Sequence, residues 1–312
     1  MQPAAPKSQQ YAPGGKPPED FEPGIRTAGL HLASTPVPRT IPPGDTKGKQ
    51  TMTALVEYEV RDRVATITLN RPDKLNAFND DLTREALAAM HRFDLDPEAD
   101  VAVLTGRGRA FSSGADVQQR QLRPREEMEK HGGPQARDAN SQNLLIDCVN
   151  WKPVIAAVHG YVLGLALGVA LECDLIVAEE GTRFQVTEAP RGLSGAKYWA
   201  LLNFRGGGSL AVQVSLTGRF FTAEEAKAVN IIDEVAPKGE YLAAAQALGA
   251  RIAKNPPLGV RHTVQLRRWE LKKVQQEAVR QVSSAKLHLT EDFRESARAF
   301  VEKRPAGPFK GR

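Results

Sequence analysis

Three short stretches of this chain carry residue types and spacings that suit chemistry. They are Gly106-Arg107-Gly108-Arg109-Ala110-Phe111-Ser112-Ser113-Gly114-Ala115-Asp116, His159-Gly160-Tyr161-Val162-Leu163-Gly164-Leu165-Ala166-Leu167-Gly168, and Phe184-Gln185-Val186-Thr187-Glu188. The first two each read as a strand running through a glycine-bearing turn into a helix. Such turns expose backbone N–H groups at a helix start, where unpaired donors and the helix dipole favour negative charge. Two of them aimed at one point make an oxyanion hole. The third stretch ends in a carboxylate that can move a proton beside it.

The elements that must hold these stretches follow from hydrophobic period. Val56–Val60 and Val64–Leu69 alternate around a polar Arg61-Asp62-Arg63 turn, which predicts a hairpin. Leu82, Ala86, Leu87, Met90 and Phe93 predict a helix over about 81–95, capped by Asp80 or Asp81. Val101–Thr105, Val154–Val158 and Leu175–Ala178 are apolar throughout and read as buried strands, with an apolar helix over 163–172. A helix is predicted over about 139–150, and a polar surface segment over 118–140. After Gly218 the chain turns helical over about 222–229, 238–254, 257–281 and 290–303, with Pro257 placed for a first turn. Strands alternating with helices predict an α/β layered fold with largely parallel pairing. Arg205-Gly206-Gly207-Gly208 lacks the Lys-Ser/Thr ending of a phosphate loop and reads as a turn.

Composition excludes several classes. The 312 residues are 41% hydrophobic and 25% charged, ordinary for a globular protein. No apolar run reaches a membrane-spanning length. The net charge of +5 is mild and spread out, without the aromatic-plus-basic motif of nucleic-acid binding. Cys148 and Cys173 lack metal-like spacing and read as reduced, buried thiols, so the expected compartment is the cytoplasm. Residues 1–52 hold ten of the 21 prolines and no apolar period, and read as a disordered Pro-rich arm.

Further segments extend the pattern: Asn70-Arg71-Pro72-Asp73-Lys74-Leu75-Asn76-Ala77, Pro153–Tyr161, Cys173–Ala178, Leu216-Thr217-Gly218-Arg219, Ala223-Glu224-Glu225-Ala226 and Phe300–Arg304. With Gly108–Asp116, in this order and spacing, they resemble the crotonase (enoyl-CoA hydratase/isomerase) superfamily over about residues 54–312. The resemblance implies a crotonase-like ββα spiral core over 53–250 and a C-terminal helical trimerisation region over 251–312. It implies a homotrimer or homohexamer, an acyl-CoA substrate, and no cofactor or metal beyond the CoA moiety itself.

The resemblance also assigns roles. The amides of Ala115 and Leu165 grip the thioester oxygen, and Glu188 is the acid/base. Leu165 stands where a glycine is usual, and its side chain is expected to narrow the acyl pocket. Hydratases of this family carry a second glutamate, whose position here is Gly168. One carboxylate suits double-bond isomerisation better than hydration or dehydration, which stays open beside a non-catalytic CoA-ester-binding reading. Ala196 and Gly168 also stand where dienoyl-CoA isomerases need further acids. Substitute acids considered are Glu172, read as a buried partner for an arginine, and Glu126, Glu127, Glu129 and His131. For CoA, Lys74, Leu75 and Ala77 line the pantetheine, Ser113 meets the adenine end, and Asp116 and Val117 flank the hole. Phe300 and Lys303 reach the CoA of a neighbouring subunit. Leu163, Leu165, Leu167, Tyr198 and Trp199 point to a bulky apolar acyl pocket.

Overall fold

The structure, a computed structural model, describes residues 54–134, 145, 148–149 and 151–312. These lie in one compact unit spanning 52–312. The Pro-rich arm and most of the helix expected over 139–150 lie outside the described residues.

Strands β1 (Val56–Arg61) and β2 (Val64–Leu69) form the expected antiparallel hairpin. Its turn residues Asp62 and Arg63 both take positive φ, 51° and 65°, which matches the twist of the flanking strands. Helix α1 (Asp80–Leu95) is capped by Asn79, not by Asp80 or Asp81: the Asn79 side chain accepts from Leu82 N at 2.9 Å. Asp80 instead pairs with the buried Arg123 at 2.9 Å. There follow β3 (Val101–Gly106), α2 (Val117–Arg120), α3 (Arg125–His131), β4 (Val154–Val158), β5 (Tyr161–Leu163) and α4 (Leu165–Glu172). Then come β6 (Leu175–Glu179), β7 (Arg183–Gln185), α5 (Ala196–Phe204), α6 (Gly208–Thr217), β8 (Phe220–Thr222), α7 (Ala223–Ala228) and β9 (Glu234–Ala236). The chain closes with α8 (Tyr241–Ala253), α9 (Pro257–Val282) and α10 (Glu291–Val301).

Two sheets result. The larger has the order β1-β2-β3-β4-β6-β9, parallel from β2 onward, and the smaller has the order β5-β7-β8. The residues of β3 and β4 are buried throughout, as a parallel sheet covered on both faces requires. One face packs on α8 through Val101, Val103, Ile155 and Val177. The other holds the main core, with Ile67, Phe93, Leu104 and Phe184. The small sheet was not foreseen, because its strands are only three residues long. Residues 161–163 therefore pair as a strand, and the helix expected from 163 starts at Leu165. Gly208 opens α6 in place of a flexible turn.

Candidate active site

The two glycine-bearing turns lie side by side because their strands pair. Ser112 and Val162 form a parallel bridge, with Ser112 N donating to Tyr161 O at 3.1 Å and Leu163 N to Ser112 O at 3.2 Å. This register sets Gly114-Ala115 against Gly164-Leu165. Gly114 takes φ +91°, and a Cβ there would stand 2.5 Å from Leu163 O and 3.4 Å from Leu165 N. Only glycine fits so close an approach in that conformation. Gly164 takes φ +48°, and a Cβ there would run into the Thr187 hydroxyl.

The flanking bonds turn the Ala115 amide outward. Phe78 N donates to Gly114 O at 2.8 Å, and Asp116 N donates to Phe78 O at 3.0 Å. Ala115 N between them has no acceptor among the described residues, nor has Leu165 N at the first turn of α4. Both residues line one cavity of about 800 Å³.

Asn76 anchors this wall. Its backbone is left-handed at φ 53° and its side chain is fully buried. The side-chain amide donates to the carbonyls of Arg107 and Ala110, each at 2.9 Å, and Arg71 N donates to its oxygen at 2.8 Å. Arg71 also pairs with Asp116 at 2.8 Å, and Asp116 caps α2 by accepting from Gln119 N at 3.2 Å.

Glu188 lines the same cavity. Strand β7 pairs with β5, and Gly164 N donates to Gln185 O at 3.0 Å, which carries the following residues up to the start of α4. The Glu188 carbonyl then accepts from Arg191 N at 2.9 Å and Leu193 N at 2.8 Å, fixing its backbone. The carboxyl lines the cavity, and burial raises its pKa to about 7. The nearby Tyr198 hydroxyl and Lys197 ammonium pull the other way. A carboxyl poised there can both take and return a proton near neutral pH.

The cavity gathers Ala115, Leu165 and Glu188 with Lys74, Ala77, Ser113, Asp116, Val117, Phe300 and Lys303. Leu75 is the exception. It takes φ 49° at the end of a 3₁₀ turn, where its carbonyl accepts from Ser113 N at 2.9 Å, and it does not line the cavity. Phe300 and Lys303, which the resemblance directed to a neighbouring subunit's CoA, also rim the cavity of their own chain. They reach that rim because α10 folds back on the turn after Glu188, with Ser296 Oγ donating to Pro190 O at 3.1 Å and Arg191 stacked on the Phe300 ring at 3.9 Å. Leu163 and Tyr198 line the cavity, Leu167 is core, and Trp199 is exposed on another face.

None of the substitute acids lines the cavity. Glu129 pairs with Arg125, and Glu127 lies 3.5 Å from Arg123. Glu172 is fully buried, and its partner is a lysine rather than an arginine: Lys197 Nζ lies at 3.1 Å, with Gln275 donating at the same distance. Arg120, Arg191 and Lys197 line the cavity without having been picked out in the sequence. Their only signal was placement on segments that flank the turns. Among the described residues, no group of three or more His, Cys, Asp and Glu side chains could hold a metal ion. No described helix is long and apolar enough to cross a membrane.

The chain is similar to known proteins over most of its length. The family model for enoyl-CoA hydratase/isomerase matches residues 59–312. The 2,3-dehydroadipyl-CoA hydratase of Escherichia coli is 34% identical, over 80% of this chain and 96% of that protein. An enoyl-CoA hydratase of Mycobacterium tuberculosis is 32% identical, over 80% and 94%. Among solved structures, a carnitinyl-CoA hydratase from Mycobacterium avium superposes with a TM-score of 0.70 at 30% identity, covering 84% of this chain and all of that one. Matches of this extent take in nearly the whole described fold, and the chain therefore belongs to the enoyl-CoA hydratase/isomerase family of acyl-CoA enzymes.

Proposed function

We propose that this family member shifts a double bond along the acyl chain of a CoA thioester, with Glu188 as its only acid/base. The observation that carries the reading is the make-up of the cavity's carboxylates. Among the described residues only Asp116 and Glu188 line it, and Asp116 is held by Arg71 and by its cap. Gly168, where a second glutamate is expected for hydration, has no side chain.

The steps follow from one carboxylate and two amides. Glu188 takes a proton from C2 of a 3-enoyl thioester. The C–H electron pair moves into the carbonyl, and the N–H groups of Ala115 and Leu165 hold the resulting oxyanion. One good donor of this kind contributes about 3–4 kcal/mol. The protonated Glu188 returns its proton at C4, the electrons fall back, and the double bond now conjugates with the thioester. Lys74, Ala77, Ser113, Val117, Phe300 and Lys303 are the groups we assign to CoA, with the two lysines toward its phosphates.

Hydration is the second reading, favoured by the names of the relatives, which are hydratases. Absorbance of the conjugated thioester separates the two. Incubation with a 3-enoyl-CoA should raise it, while crotonyl-CoA should be left largely intact. Loss from crotonyl-CoA without gain from the 3-enoyl ester would make the protein a hydratase. No change with several acyl chains would leave a non-catalytic CoA-ester binder. We also assign a homotrimer or homohexamer, supported by the apolar groove between α5 and α9 at Trp199, Ala200, Val274 and Ala278, and checked by mass photometry.

A further inference from the structure

The space beside Gly168 is occupied. A Cβ on that glycine would lie 3.3 Å from Tyr198 Cε1 and 3.6 Å from its hydroxyl oxygen. Tyr198 comes from α5, is 7% exposed, and lines the same cavity as Glu188. Its hydroxyl lies close enough to the Glu188 carboxyl to favour the charged form, beside Thr187 Oγ1, which donates to the same carboxyl at 3.4 Å. The ring thus stands where a second carboxylate would project from α4. Any water for addition to the acyl chain would have to sit between that position and Glu188.

We infer that Tyr198 is a positioning residue that holds the Glu188 carboxyl by its hydroxyl and, by its ring, keeps a nucleophilic water out. The inference rests on Glu188 being the acid/base. A phenol can do the first task only as a donor. Tyr198 is buried, and burial together with Glu188 keeps its own proton bound well above the usual tyrosine range. Donation to the charged carboxylate favours that form. The other charged groups around the pair are Lys197 on α5, Arg191 on the turn after Glu188, Glu172 on α4 and Arg120 on α2. None of them is removed by a change at Tyr198, so the hydroxyl's contribution can be read separately.

The test uses the purified full-length protein, a 3-enoyl-CoA and crotonyl-CoA. Deuterium exchange at C2 of the 3-enoyl ester in D₂O comes first, with E188Q as the control. Exchange that needs Glu188 upholds the parent reading; its absence in the unaltered protein sinks that reading and this inference with it. Y198F keeps the ring and loses the hydroxyl. It should move the acid limb of kcat/KM for exchange upward by roughly half a pH unit or more, with KM little changed and no gain in hydration. Y198A should open the space and raise hydration of crotonyl-CoA about tenfold or more over the unaltered protein. A Y198F profile that superposes on the unaltered one, with Glu188-dependent exchange intact, overturns the inference. So does a folded Y198A that hydrates no faster. If Y198A does not fold, the Y198F profile decides.

Discussion

The amide nitrogen of Leu165 lies 3.4 Å from the point where a Cβ on Gly114 would stand. The two turns are therefore in contact through backbone alone, and the spacing of their amides is set by the absence of a side chain. Gly114→Ala should push the turns apart and strain φ +91° together. Turnover should fall at least ~100-fold and stability by about 1–3 kcal/mol. Steady-state rates and urea denaturation check the two effects.

Glu188→Gln should lower turnover about 10²–10⁴-fold. The affinity for a non-reacting CoA ester should stay within a few-fold, as isothermal calorimetry would show. A mutant with near-normal turnover would remove Glu188 from the mechanism.

The same carboxyl makes stability depend on pH. Its pKa is about 7 in the fold against 4.5 ordinarily, so the native state holds a proton that the unfolded chain has released. Stability from this group is complete below about 4.5 and is lost as pH rises through about 7. Glu188→Gln carries no such charge. Its stability relative to the unaltered protein should grow across that window by up to roughly 3 kcal/mol, measured by denaturation at pH 5 and pH 8. Activity runs the opposite way, since proton abstraction needs the carboxylate: kcat/KM should rise with pH through about 7.

Glu172 and Lys197 form a buried pair at 3.1 Å, and Lys197 lines the cavity. Glu172→Ala strips Lys197 of that anion and should cost about 3–5 kcal/mol in denaturant unfolding. Glu172→Gln, which keeps an acceptor, should cost less.

Much of this was legible beforehand. The hairpin, α1, the buried strands and the four C-terminal helices follow from hydrophobic period alone, each within a few residues. The two turns were legible because glycine at a strand-to-helix junction has few other uses, and Glu188, singled out by the family resemblance, lines the same cavity. What period cannot show is a three-residue strand, so the sheet that lifts Glu188 into place went unseen. Nor does it show direction. Trp199 and Tyr198 are neighbours in sequence, yet one lines the cavity and the other faces outward, because adjacent helical residues point about 100° apart. Leu75 was misplaced for a similar reason: period does not reveal its left-handed backbone, and it is its carbonyl that meets Ser113 N while the residue does not line the cavity.

Asn76 ties Arg71 to the turn that holds Arg107 and Ala110 with a single carboxamide. A wall riveted in this way is already ordered before any ligand arrives. Calorimetry of ligand association should accordingly carry no folding signature from residues 70–78 and 106–116, and their hydrogen-bonded amide protons, which leave out the open Ala115 N–H, should exchange as slowly in the empty protein as in the occupied one.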